Sequence, residues 1–117
     1  MGSWGHKPLE NDSAADLASS FNESKNTNVL EHVFDAINAL NVDQYLEAPE
    51  AEAAVAAAQI LQNLTPDEIK EDDRNRLISK SNIALKRVLE NSELKELWSE
   101  SDEYKDWVAV VRILINE

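Results

Sequence analysis

The 117-residue sequence predicts an all-α fold, a single-domain helical bundle of five to six helices. Three observations carry that expectation. Apolar residues recur with the 3.6-residue period of a helix almost everywhere after residue 12. Only two glycines are present, Gly2 and Gly5, so no later glycine can open a tight hairpin or cradle a phosphate. Cap residues stand ahead of the periodic stretches, and no stretch with strand character has a partner strand. The length suits one domain over residues 1–117, with core enough to need no staples. Residues 1–11 read as an N-terminal arm packed on the bundle.

The first helix is marked by Ala14, Leu17, Ala18 and Phe21 at i, i+3, i+4 and i+7, with Asp12 or Ser13 as its expected N-cap. The polar run NESKNTN ends it. Asn28, followed three positions later by Glu31, resembles a capping box for a second helix. The apolar face of that helix is Val29, Val33, Phe34, Ile37 and Leu40. Residues 41–47 read as a turn. Pro49 suits the first position of a third helix, where its missing N–H leaves no bond unmade. Glu50 and Glu52 favour the positive end of that helix and are expected to be cap and solvent-facing charges. Its body, AEAAVAAAQIL, combines high helix propensity with side chains small enough for a neighbouring helix to approach closely.

Thr65, Pro66, Asp67 and Glu68 form cap, proline, acid and box partner in order, the strongest helix-start signal in the chain. A fourth helix is expected from about residue 73 to residue 91, with Leu77, Ser81, Ala84, Leu85 and Val88 inward. Residues 92–98 read as a short helix, and Ser99 with Asp102 as the cap of the last one. The last helix contains WVAVVRILI, in which Arg112 is the only charge. A helix apolar almost all round belongs either at the centre of a core or in an interface.

The net charge of −12 is unevenly spread. Residues 1–69 hold 12 acidic and 2 basic side chains, whereas residues 70–117 hold 11 and 9. Direct nucleic-acid binding is not expected, because its affinity comes mainly from neutralising phosphates. A basic protein partner is the complementary expectation, although acidity also serves solubility alone. With no cysteine there is no disulfide, thiol nucleophile or thiolate metal site. No apolar run reaches the ~18 residues of a membrane span. The opening residues lack a secretory pattern, and His6 stands where myristoylation wants Ser or Thr. A cytoplasmic location is therefore expected.

Three ordered strings carry a resemblance: MGSWGHKPLENDSAAD at the start, YLEAPEAEAAVAAA from Tyr45, and ELWSESDEYKDW from Glu96. Together they resemble a family of small bacterial proteins of unknown function, with the pattern MGxWGxxPFENDxAxDW, then YLEAPEAxxALAAAE, then SELxELWxES. The chain departs at Leu9, where Phe is usual, and at Leu17, where Trp is usual; both positions stay apolar. The resemblance implies a fold and assigns no activity.

Three constellations are candidates for function. Trp4, His6, Glu10, Asn11 and Asp12 bring an aromatic plane, an imidazole, carboxylates and an amide together within nine residues. They could bind a small ligand or a metal. The structural reading is favoured, with Trp4 pinning the arm and the polar residues capping the first helix. Their spacing matches no recognised metal motif, so no metal or cofactor is expected. Catalysis is not expected either, since neither His6 nor His32 stands in a catalytic pattern and a GxSxG elbow is impossible. On the fourth helix Arg76, Lys80, Ile83 and Arg87 form one stripe, and residues 74–87 contain no acid. That stripe either docks an acidic surface or pairs with acids of the first half, its cationic stems covering Ile83. Finally, Glu93, Glu96, Glu100, Asp102 and Glu103 surround Trp98, a partner-binding pattern of an apolar anchor inside a negative rim. The favoured alternative puts Leu94, Leu97, Trp98 and Trp107 in the core and leaves only a solvated acidic face.

The function expected is that of a small acidic protein-binding protein, most concretely an immunity or antitoxin protein neutralising a basic toxin domain such as a nuclease. Two alternatives stand beside it: a structural or regulatory adaptor that dimerises through the last helix, and a small-ligand or metal-binding module built on the N-terminal cluster.

Overall fold

The computed structural model describes residues 12–41 and 43–115. These form six helices and no strand: α1 (Asp12–Ser24), α2 (Asn28–Asn38), α3 (Ala48–Asn63), α4 (Glu71–Glu90), α5 (Glu93–Ser99) and α6 (Tyr104–Ile113). None of them is long and apolar enough to cross a membrane.

Alanine decides the architecture. Ten of the sixteen residues of α3 are buried, six of them alanines, and α1, α2, α4 and α5 all pack against it. A helix is buried on every side only when its side chains let several neighbours come close, and Ala51, Ala54, Ala56, Ala57 and Ala58 do so. The all-round burial expected for WVAVVRILI therefore belongs to α3. In α6 only one stripe, Trp107 and Val111 continued by Leu114, is buried, while Ile113 is 73% exposed. Glu52 is also corrected: it is 6% exposed, on the packed surface of α3, and does not face solvent.

The other faces follow their periodicity. Ala14, Leu17 and Phe21 bury from α1, and Leu77, Ser81, Ala84, Leu85 and Val88 from α4. On α2 the buried stripe is Leu30, Phe34 and Ile37, with Val29, Val33 and Leu40 half-buried at its edges. Polar satisfaction explains the remaining departures. Ser92 caps α5 by accepting the Lys95 N–H at 3.0 Å while donating to the Val88 carbonyl at 2.7 Å. Ser99 ends α5 by donating to the Glu96 carbonyl and does not cap α6; Ser101 accepts the Glu103 N–H instead. Helix α1 already includes Asp12, so Asp12 sits in its first turn and not at the cap. With no glycine available, α1 closes on Lys25 at φ 53°, whose N–H donates to the Phe21 carbonyl.

Thr65 to Glu68 make one turn and no more. Glu68 accepts from both the backbone N–H and the hydroxyl of Thr65, at 3.0 and 3.1 Å. The chain then extends at Lys70 (ψ 149°) and buries Ile69 before α4 begins. Arg74 bonds the carbonyls of Leu61 and Leu64 at the α3 C-terminus, supplying donors to groups left orphaned there.

The expected box partner Glu31 goes elsewhere. Its carboxylate accepts from Arg76 at 2.9 and 3.2 Å and from Lys80 at 2.8 Å, joining α2 to α4. Two charged donors outcompete a single backbone N–H. Lys80 also pairs with Asp35, and Arg76 with Asp73. Arg76 and Lys80 of the basic stripe are thus paired with acids of the first half, whereas Arg87 bonds backbone carbonyls, and Ile83 is not covered and stays 61% exposed. Bonds to Arg76 and Lys80 hold the Glu31 carboxyl down to about 2 from 4.5. Its stabilisation is complete above the unfolded value and is lost as pH falls from about 4.5 through about 2. Because Arg76 is 45% exposed, solvent screening leaves about 1 kcal/mol for the network. Urea unfolding at neutral pH should show Glu31→Gln less stable by that amount. The difference should shrink to a small fraction as pH falls to about 2 and vanish below it, and a difference constant across that range would refute this account of the network.

Candidate functional site

The loop between α2 and α3 is held from four directions, and that restraint builds a site around Tyr45. Arg87 of α4 donates to the carbonyls of Asn41, at 3.2 Å, and Gln44. Within the loop, the Gln44 side chain accepts the Asn41 N–H at 2.7 Å. Leu46 is buried, and its carbonyl accepts the Glu93 N–H at 2.8 Å. The Glu93 carboxylate in turn accepts the Ala48 N–H at 2.8 Å, capping α3 from the start of α5. Glu47, which occupies the cap position, provides no side-chain bond, so a residue 45 positions away completes the α3 N-terminus.

Between these anchors Tyr45 projects, 54% exposed. Its hydroxyl donates to Glu96 at 3.1 Å. Partial desolvation, this bond and the negative field of Glu93, Glu96 and Glu47 raise the phenol above its ordinary 10.0. Beside the ring lies a pocket of about 230 Å³. Ala36, Ile37, Leu40 and Leu46 give it an apolar lining, and Tyr45, Glu47 and Glu50 complete it. Four carboxylates thus gather near the ring: Glu47 and Glu50 of α3 line the pocket, Glu96 of α5 meets the hydroxyl, and Glu93 adds to the negative field.

The expected partner-binding residues divide on this geometry. Glu93 and Glu96 join the Tyr45 site. Glu100 follows on the exposed side of α5, and Asp102 and Glu103 are exposed in the turn before α6. Trp98 takes the core alternative and is no surface anchor: it is 6% exposed and stacks on Trp107, with ring centroids 6.4 Å apart, whereas Leu97 stays exposed. Spacing explains the difference, since Leu94 and Trp98 lie one turn apart on the buried side of α5 while Glu93, Glu96 and Glu100 take the other. Of the N-terminal cluster, Trp4, His6, Glu10 and Asn11 lie outside the described residues, as does the arm over residues 1–11; Asp12 is exposed. Among the described residues no group of three His, Cys, Asp or Glu side chains could hold a metal ion.

Tyr45, Glu47 and Glu50 carry no motif for chemistry, in and beside a stretch that reads as a turn or a single helical turn. The acids two and five residues beyond Tyr45 are legible locally; their meeting with Glu93 and Glu96 is not.

Over residues 2–110 the chain matches the family model described as Domain of unknown function (DUF4259). It belongs to that family. No curated protein and no solved structure matches it. The span shared with DUF4259 contains Tyr45 and all four carboxylates of the site, together with the whole of α3, so family membership covers both the central helix and the loop it anchors.

Proposed function

We propose that this DUF4259 protein is a non-enzymatic binding protein of the cytoplasm that docks a basic surface on a partner protein. In its most concrete form it acts as an immunity or antitoxin protein, masking a basic toxin domain such as a nuclease. The observation that supports it is the exposed Tyr45 ring set among Glu47, Glu50, Glu93 and Glu96. Aromatic residues at the centre of a patch supply most of the energy of an interface, and rim charges select the partner and speed encounter. The net charge of −12 extends that attraction over the molecule.

The test is comparative affinity capture from the source cell, with the intact protein, Tyr45→Ala and Glu47→Lys/Glu50→Lys as baits. A basic protein held by the intact bait, lost from both variants and released as salt rises is the expected result. Capture of the same proteins by all three baits, or of an acidic partner, defeats the reading. Salt acts here because the Debye length falls from about 10 Å at 0.1 M to about 3 Å at 1 M.

One observation favours the adaptor reading in addition: Ile113 is 73% exposed on α6, beside the exposed Ala109. Self-association through this face would appear as a concentration-dependent dimer in sedimentation velocity, abolished by Ile113→Glu. A single monomeric species at all concentrations removes it.

A further inference from the structure

We infer that the pocket beside Tyr45 takes one apolar side chain, of about the size of leucine, from a partner segment that carries basic residues on both sides of it. The inference rests on the proposed basic-partner function and specifies what that partner must present. Size decides the class of occupant. Sites for drug-sized ligands run from about 300 to 1,000 Å³. At about 230 Å³ this pocket is smaller and open to solvent on one side, with room for a side chain and not for a cofactor. Chemistry decides the rest. Ile37 and Leu46 are buried and, with Ala36 and Leu40, make most of its lining apolar, so an incoming apolar side chain gains by leaving water there.

Charge complementarity sets the flanks. Glu47 and Glu50 line the pocket itself, on the first turn of α3. Glu93 and Glu96 are not among its lining residues; Glu96 accepts from the Tyr45 hydroxyl and Glu93 adds to the negative field there. A segment that runs from the pocket to the hydroxyl end of the ring therefore meets carboxylates at both places. Lys or Arg at both flanks satisfies them, and an Arg guanidinium can also stack on the Tyr45 face. The rigid support of the loop, from Arg87 and Glu93, leaves the site formed before the partner arrives.

The probes are three capped peptides of equal length added to the full-length isotope-labelled protein and followed by amide chemical shifts. One has a central leucine between paired arginines; the second replaces leucine by alanine; the third keeps leucine and replaces every arginine by glutamate. The leucine–arginine peptide should shift residues around Tyr45 and Glu47 and bind about tenfold more tightly than its alanine counterpart, the gain expected for burying three additional carbon groups in a partly open pocket. The glutamate peptide should not bind. The same titrations on Ile37→Val and Leu40→Ala, variants that enlarge the pocket without touching its charges, should narrow the leucine gain. Equal affinity of the leucine and alanine peptides, with both still shifting the site, overturns the pocket assignment while leaving the basic-partner reading in place. Shifts confined to another surface, or no binding by either arginine peptide, overturn both.

Discussion

Trp98→Ala should destabilise the protein by about 3–5 kcal/mol, the range for truncating a buried tryptophan. The ring is 6% exposed and lies almost parallel to that of Trp107, at 11°, and Tyr104 stacks on the far side of the same cluster at 6.1 Å. Removing it leaves a void where α5 and α6 meet, and in the seven-residue α5 only Leu94 is buried beside it. A domain of this size has only about 5–15 kcal/mol of total stability. The loss should therefore lower the melting temperature by roughly 10–20 °C. Circular dichroism during thermal and urea unfolding checks this. A loss under about 1 kcal/mol would place Trp98 on the surface after all and restore it as a docking anchor.

Tyr45→Ala should do the reverse. Its side chain is half in solvent and makes one hydrogen bond, so unfolding stability should change by less than about 1 kcal/mol. Affinity for a basic partner should fall by about 2 kcal/mol or more, roughly thirtyfold, as for a central aromatic anchor. Most of that loss should appear as faster dissociation. Glu47→Lys/Glu50→Lys should also slow association and flatten its salt dependence, because these carboxylates attract a basic partner before contact as well as pairing with it. Tyr45→Phe separates ring from hydroxyl: retention of most of the affinity assigns the anchor to the ring. If Tyr45→Ala binds as tightly as the intact protein, the site lies elsewhere, and the exposed Glu100, Asp102 and Glu103 become the next surface to test.

The two aromatics show why the fold was more legible than the site. Helical periodicity is a local property, so the five inward residues of α4 and the three of α1 could be assigned from spacing alone. A site assembled across 51 positions, as Tyr45 and Glu96 are, leaves no local trace. Spacing even misled in places. The Thr65–Glu68 signal formed its side-chain bonds and still made only one turn, because burying Ile69 required extended backbone at Lys70. Glu31 stood in the position of a box partner, yet Arg76 and Lys80 of α4 claimed its carboxylate.

Sequence by itself determined the all-α class, the order of the helices and most of their buried faces, since these depend on backbone propensity and on residues within two turns of each other. It also determined the acidity that favours a basic partner. Tertiary structure alone decided which helix is central, because α3 and the WVAVVRILI segment are both apolar around much of their circumference. Only the close approach that alanine permits, summed over four neighbours, separates them. Tertiary structure likewise decided the site: an aromatic side chain becomes core or anchor according to what packs over it, and that covering comes from distant parts of the chain. Trp107 covers Trp98, whereas nothing among the described residues closes over Tyr45, which stays 54% exposed.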